Sequence, residues 1–235
     1  MIQLTRKGVV LTGSPADLRA LRVQFQRDHY LILPKLIAPD LLATVLKRIE
    51  SAPSVHRGYN GVTAQSLIDD PLTYNLLAFL LCAPEFLRLV QRITGCRRIS
   101  NFKGRIYTLN PTTDDRIVWH SDVLDHRVVT LSLNLTSQEY RGGTLQIRRR
   151  GSEEILHEVR NIGLGDALLM RVGNNLQHRV LPVEGNVPRT ALAGWFRWEK
   201  GNENFHNTLR KAAQASPLKQ VVVETESAAA TARRN

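Results

Sequence analysis

The sequence predicts an α+β protein in which an all-β core, a double-stranded β-helix or jelly roll of eight antiparallel strands, follows a helical N-terminal region. Residues 1–96 contain helix starts followed by apolar residues at helical spacing. From residue 97 the segments become short, rich in β-branched and aromatic residues, and evenly separated by turn residues. We expect one domain over 1–211, with helical support over 1–96, a core over 97–200 and a flexible tail over 212–235.

The helical region begins after a short edge strand at Gly8–Leu11. Ser14 caps the first helix, Pro15 suits its first position, and Asp17 completes a capping box; the helix runs to about Asp28. A buried strand at Tyr30–Leu33 follows. Further helices are predicted from Pro39 to about residue 50, from Pro71, and from Pro84 to a glycine stop at Gly95.

Residues 53–70 show little periodicity, and we interpret them as a long loop of the kind that often covers a substrate. The core strands are predicted at 98–109, 116–121, 127–136, 143–150, 154–161, 166–171, 175–181 and 188–198.

Composition limits the classes of function. The net charge is +11, but the Lys and Arg residues are scattered and do not alternate with aromatic residues, so nucleic-acid binding is not expected. No apolar run is long enough to span a bilayer, and no secretory leader is evident. The two cysteines form no framework, which favours a cytoplasmic protein. The sequence does not indicate an oligomeric state.

The strongest chemical signal is Trp119-His120-Ser121-Asp122 at the end of an apolar run. Side chains alternate along a strand, so His120 and Asp122 would point to one face. His178, on a late strand, can supply a third ligand. Two histidines and one carboxylate form the facial triad of Fe(II) oxygenases, although zinc sites also use this ligand set.

Arg189 begins the last predicted core strand. A guanidinium pointing into the core would need an anion, and a carboxylate that binds it through two hydrogen bonds is its best partner. A dicarboxylic cosubstrate could bind the metal at one end and Arg189 at the other.

These residues resemble the Fe(II)/2-oxoglutarate-dependent dioxygenase superfamily, and within it the prolyl-hydroxylase-like group. The matching segments are His120-x-Asp122, 127–134, Gly142-Gly143-Thr-Leu145, Gly165-Asp166-Ala-Leu-Leu-Met170 and 178–183 leading to Arg189. They occur in the family's order and cover roughly residues 98–200.

The resemblance implies that His120, Asp122 and His178 hold Fe(II), that 2-oxoglutarate is the cosubstrate and that O2 is the oxidant. Arg189 would bind the distal carboxylate with help from Tyr107. Many relatives carry Arg-x-Ser where this chain has Ala191, so Thr130 and Tyr107 are the expected substitutes. Trp195 replaces the second arginine of the nucleic-acid demethylases, and the intact Asp122 argues against the halogenase variant.

The substrate side is less constrained by the sequence. Five residues are predicted to face the substrate: His126, Arg105, Asn134, Trp195 and Tyr59. The favoured function is oxidation, most simply hydroxylation, of a C–H bond in a small molecule such as an amino acid or a natural-product intermediate. The alternatives are a protein hydroxylase of the prolyl type and a non-catalytic metal-binding jelly roll.

Overall fold

A computed structural model describes residues 2–59, 63–96, 98–113 and 115–198. These residues include four helices: α1 (Pro15–Asp28), α2 (Pro39–Ser51), α3 (Pro71–Leu81) and α4 (Pro84–Thr94). No helix in this part of the chain is long and apolar enough to cross a membrane. The polar segment after residue 200 and the tail predicted at 212–235 lie outside the described residues.

The described residues also form fifteen strands. They are β1 (Ile2–Thr5), β2 (Gly8–Leu11), β3 (Tyr30–Leu33), β4 (Ser54–Tyr59), β5 (Thr63–Ile68), β6 (Asn101–Leu109), β7 (Arg116–His120), β8 (Arg127–Asn134), β9 (Arg141–Gly142), β10 (Leu145–Arg149), β11 (Ile155–Val159), β12 (Ala167–Arg171), β13 (Leu176–Val180), β14 (Val183–Glu184) and β15 (Arg189–Arg197). Each of the eight predicted core strands is present, and the predicted jelly-roll class is confirmed.

The core strands form the two facing layers of a jelly roll. One layer has the antiparallel order β6-β15-β8-β12, with β3 added beyond β12. The other has the order β11-β10-β13-β7. β5 pairs with both β6 and β7 and so joins the layers into one eleven-stranded sheet.

The predicted helical region is confirmed, including its turn chemistry. Ser14 Oγ accepts from the Asp17 backbone N–H, and the Asp17 carboxylate accepts from the Ser14 N–H, which makes the predicted capping box. Gly95 ends α4 in the left-handed conformation, as glycine does at many helix ends.

The helical region packs on the outer face of the β6-containing layer. Phe86 of α4 contacts Phe196 of β15, with ring centroids 6.1 Å apart, and Phe102 of β6 contacts the same ring at 5.2 Å. These three aromatic side chains are almost fully buried. Since side chains alternate along a strand, Trp195, the neighbour of Phe196, points the other way and lines the inside of the roll. The helices therefore cover one face and leave the inner face for chemistry.

Residues 53–70 differ from the prediction of a long loop. They contain an antiparallel hairpin, β4–β5, in which Ser54 pairs with Ile68 and Tyr59 with Thr63. β4 is exposed at every residue, and the buried positions of β5 include the polar Thr63 and Gln65. The alternation of apolar and polar residues that identifies a strand is therefore absent from both.

Two glycines let β6 and β15 approach closely. Gly104 and Gly194 are register partners across these strands. A Cβ on Gly194 would lie 2.5 Å from Gly104 Cα and 2.4 Å from the carbonyl oxygen of Lys103. This pair has no room for a side chain, and it lies in the same two strands that carry Tyr107 and Arg189.

Candidate metal centre

His120 and His178 come together because β7 and β13 are neighbouring antiparallel strands. The two histidines are register partners, and their ring centroids are 4.2 Å apart. Asp122 follows β7 by two residues and is buried, with 6% of its surface exposed. Residues 58 positions apart in the sequence thus converge at one end of two paired strands.

The Asp122 carboxylate lies between the two imidazoles. Its Oδ1 is 3.5 Å from His120 Nε2, and its Oδ2 is 3.6 Å from His178 Nε2. One ligand atom from each of the three residues lies within 4.8 Å of the others, and this is the metal-binding cluster found among the described residues. Two imidazole nitrogens and one carboxylate oxygen suit Fe(II) and leave positions open for other ligands.

A backbone carbonyl orients His120. Its Nδ1 lies 2.8 Å from the oxygen of Val118, which can only accept, so Nδ1 carries the proton of the neutral ring. Nε2 of the same ring faces Asp122 and His178, and in the metal-bound form it would present its lone pair to the ion. This is the arrangement in which a second hydrogen bond fixes the tautomer of a metal-ligating histidine.

The protonation states also suit a metal ion. Burial lowers the pKa of His178 to about 4. Burial alone would raise the pKa of Asp122, but its hydrogen bond with His120 and the nearby His178 hold that pKa well below the usual range. At neutral pH the site therefore offers a neutral imidazole at His178 and an ionised carboxylate, the forms that bind a cation.

Thr130 contacts the metal-site carboxylate. Its hydroxyl donates to Asp122 Oδ2 at 2.8 Å. The sequence assigns Thr130 to the cosubstrate carboxylate, and that role stays a prediction. The structure places the hydroxyl beside the aspartate, where it orients Asp122.

Arg189 is held by two hydroxyl groups. Its Nη1 donates to the Tyr107 hydroxyl at 3.0 Å, and its Nη2 donates to Ser132 Oγ at 3.3 Å. No carboxylate in the described part of the chain pairs with Arg189. Ser132 was missed by the sequence reasoning: it lies on β8, two residues beyond Thr130, and supplies a hydroxyl beside Arg189 where Ala191 cannot.

One cavity brings these groups together. Its lining includes eight of the eleven predicted site residues: His120, Asp122, His178, Arg189, Tyr107, Thr130, Arg105 and Trp195. Tyr59, at the end of β4, is exposed and its ring lies 5.4 Å from the Arg105 guanidinium carbon.

Two predicted substrate residues lie elsewhere. Asn134 is buried in a backbone network: its Nδ2 donates to the Ile162 carbonyl at 2.7 Å, and its Oδ1 accepts from the Thr136 N–H. His126 is exposed and packs edge-on against Trp198, with centroids 5.3 Å apart. Neither residue lines the cavity, so the structure gives Asn134 a structural role and His126 a surface position.

Comparisons with known proteins agree with this geometry. The family model of the 2OG-Fe(II) oxygenase superfamily matches residues 105–197, which include every candidate metal ligand and Arg189. A comparison with curated protein sequences found no match.

Three solved structures illustrate the shared fold. A prolyl-4-hydroxylase from Pseudomonas putida has a TM-score of 0.60 at 20% identity, covering 78% of this chain and 100% of that one. The epimerase SnoN, in complex with Fe3+, alpha ketoglutarate and nogalamycin RO, has a TM-score of 0.57 at 15% identity and coverages of 78% and 84%. A prolyl hydroxylase from Trichoplax adhaerens, in complex with a peptide fragment of hypoxia inducible factor, scores 0.56 at 16% identity, covering 79% and 94%.

Proposed function

We propose that this chain is an Fe(II)- and 2-oxoglutarate-dependent oxygenase, as the match of the superfamily model to residues 105–197 indicates, and that it hydroxylates an unactivated C–H bond of a small molecule, such as an amino acid or a natural-product intermediate. The observation that carries the proposal is a single cavity lined both by the three candidate metal ligands and by a half-buried arginine, Arg189. The ligand set suits an open iron site, and the arginine suits a dicarboxylic cosubstrate.

In this proposal His120, Asp122 and His178 hold Fe(II). When bound, iron and 2-oxoglutarate supply the oxidising chemistry, in which O2 is consumed, the cosubstrate is converted to succinate and CO2, and a C–H bond is oxidised. Arg189 binds the distal carboxylate of the cosubstrate, and Tyr107 and Ser132 hold the guanidinium in position for it.

The protein residues orient the reactants and limit their contact with water. Val118 and Thr130 fix His120 and Asp122 through hydrogen bonds. The inner wall between them is lined by apolar side chains, among them Ile117, Leu168 and Met170. Such a wall excludes water, which strengthens the charge interactions at the site.

The strand that joins the two layers of the roll favours a small substrate. β5 pairs with both β6 and β7, so the hairpin closes the gap between the layers on that side of the cavity. A peptide laid across an open groove fits this arrangement less well. A protein hydroxylase of the prolyl type remains the second candidate, because a similar fold binds a peptide in the Trichoplax adhaerens structure.

A cytoplasmic location also belongs to the proposal. Both cysteines, Cys82 and Cys96, are free thiols, which suits the reducing conditions of the cytoplasm.

The test is anaerobic titration of the purified protein with Fe(II) and 2-oxoglutarate, followed by the visible metal-to-ligand charge-transfer band. We expect a band in the wild type, no band in His178→Ala, and an unchanged band in the matched surface variant His126→Ala. Absence of the band in the wild type would overturn the proposal. A band without succinate formation in air, over a broad set of candidate substrates, would favour the non-catalytic alternative.

A further inference from the structure

Arg105 is a second arginine in the metal-site cavity. It lies on β6, two residues before Tyr107, and lines the same cavity as His120, Asp122 and Trp195. Three aromatic rings surround its guanidinium. The guanidinium carbon is 5.4 Å from the Tyr59 ring centroid, 5.5 Å from that of Trp195 and 5.9 Å from that of Tyr107. Such contacts stabilise the cation and hold its plane, but they do not neutralise it.

The one hydrogen-bond acceptor that the structure gives Arg105 is neutral. With the amide oxygen of Gln65 facing it, Arg105 donates from Nη2 at 3.0 Å and also from Nε. Gln65 is fully buried on β5 and is thus a fixed support. A guanidinium has five N–H donors, so Nη1 keeps two that are not used by this contact.

Several other arginines of the described chain lie near carboxylates. Arg48 pairs with Asp70 at 2.7 Å, and Arg148 pairs with Glu153 at 3.0 Å. The partly buried Arg171 and Arg179 instead hydrogen-bond to glutamine side chains, and neither lines the cavity. Arg127, whose guanidinium stacks 3.6 Å from the Trp195 centroid, lies 3.8 Å from Asp122 and 4.0 Å from Asp125. Within the described ranges, Arg105 has no acidic partner.

When Fe(II) and 2-oxoglutarate are bound, the positive charge of Arg105 has no negative counter-charge in the site. Fe(II) and Arg189 would together bring three positive charges to the three carboxylates of 2-oxoglutarate and Asp122, and Arg127 lies near Asp122 and Asp125. Arg160, which also lines the cavity, is exposed and hydrated by bulk water. A half-buried cation beside an iron site therefore lacks a counter-ion, and an anion that enters the cavity would supply it.

We propose that Arg105 binds a carboxylate of the substrate, and that the substrates of this enzyme are small organic acids. The inference rests on the proposed function and adds the substrate class. Gln65 and the three aromatic rings hold the guanidinium plane, and the free Nη1 hydrogens face the incoming carboxylate. Because charge-assisted hydrogen bonds are about twice as strong as neutral ones, the acid is preferred over its neutral amide.

The experiment compares acids with their amides on the anaerobic complex of the protein with Fe(II) and 2-oxoglutarate. The probes are three pairs: phenylacetate and phenylacetamide, hexanoate and hexanamide, and N-acetyl-L-proline and N-acetyl-L-prolinamide. Each is titrated while the charge-transfer band is followed, because a molecule bound beside the iron perturbs that band. We expect at least one acid to bind about tenfold or more tightly than its amide.

Variants of Arg105 test whether this residue causes the preference for the acid over its amide. Arg105→Gln should reduce it to within about twofold, and Arg105→Lys should retain part of it, because lysine keeps the charge without the planar fork. The matched control is Lys103→Met, which removes a positive charge from an exposed position of the same strand. It should keep the full preference.

The outcomes separate this inference from the proposed function. If the charge-transfer band does not form in the wild type, the proposed function fails and this inference fails with it. If the band forms but no acid binds more tightly than its amide, the inference alone is overturned. It is also overturned if Arg105→Gln weakens 2-oxoglutarate binding as much as Arg189→Gln does, because Arg105 would then serve the cosubstrate. An unchanged 2-oxoglutarate affinity in Arg105→Gln shows that the variant is folded.

Discussion

The hydroxyl of Thr130 donates a hydrogen bond to Oδ2 of Asp122 at 2.8 Å. The two residues belong to opposite layers of the roll, since Thr130 lies on β8 and Asp122 follows β7. The contact fixes the orientation of the carboxylate that lies between the two imidazoles. We therefore expect the metal affinity to depend on Thr130, which is not one of the candidate ligands.

Thr130→Val should therefore weaken binding of a divalent metal by about 10- to 100-fold, because the carboxylate loses the donor that orients it. Mn(II) titration, free of redox chemistry, measures the change. Thr130→Ser keeps the hydroxyl and should stay near the wild-type affinity. Equal losses in the valine and serine variants would mean that packing of the methyl group matters, and not the hydrogen bond.

Arg189 should determine the affinity for 2-oxoglutarate. Arg189→Gln removes the half-buried cation that would pair with the distal carboxylate, and we expect the dissociation constant to rise at least about thirtyfold. Ser132→Ala removes one of the two hydroxyl contacts of the guanidinium and should cost about 1 kcal/mol, or roughly fivefold.

Both constants come from cosubstrate titration of the Fe(II) protein under anaerobic conditions. Metal affinity, measured with Mn(II), is the control and should be unchanged in both variants. If Ser132→Ala had no effect on the cosubstrate, the 3.3 Å contact would not contribute to holding Arg189.

Asp70 should make stability depend on pH. It caps α3 through the Thr73 N–H and pairs with Arg48 of α2. The hydrogen bond from Arg48 lowers the pKa of Asp70 to about 2, against about 3.9 in an unfolded chain. The folded state therefore gains stability from ionised Asp70 above about pH 4. That contribution is lost as the pH falls toward 2.

Asp70→Ala removes the cap and the ion pair and should lower the free energy of unfolding by about 1–2 kcal/mol at pH 7. Asp70→Asn keeps a capping side chain and should lose less. Urea denaturation measures both, and the gap between the wild type and Asp70→Asn should narrow between pH 5 and about pH 3. A gap that stayed constant over this range would contradict the ion-pair explanation.

Gly194→Ala should destabilise the central strand pair. The added Cβ would meet Gly104 Cα at 2.5 Å and the Lys103 carbonyl at 2.4 Å, so the strands must separate. We expect a loss of about 1–3 kcal/mol, as is usual for an overpacked site, measured by thermal or urea unfolding. Gly58→Ala is the control, because the nearest atom to its Cβ is 3.7 Å away on exposed β4.

The sequence predicted most of the fold because its signals were local. Capping residues, proline starts and glycine stops identify the helices, and the core strands alternate apolar and polar residues between turn residues. The β4–β5 hairpin was missed because Gln65 and Thr63 are polar residues in buried positions, which removes the alternation.

The sequence predicted those site residues that belong to motifs with a recognisable spacing. Which hydroxyl meets Arg189 depends on the register between β15 and β8, and a single sequence does not contain that register. Ser132 opposes Ala193 in that register, and this pairing brings its hydroxyl to the guanidinium. For the same reason the sequence did not show that Thr130 contacts Asp122 or that Asn134 hydrogen-bonds to the backbone.

β15 is the last strand of the core along the chain, yet it lies between β6 and β8 near the middle of its layer. Its pairing with β6 joins residues as far apart as Asn101 and Arg197. During synthesis the position between β6 and β8 cannot be filled until residue 197 has been made. All three candidate metal ligands have been made by then. Long-range pairings of this kind slow folding. We therefore expect the ligand set to be complete in the growing chain before the strand that carries Arg189 can close the layer around it.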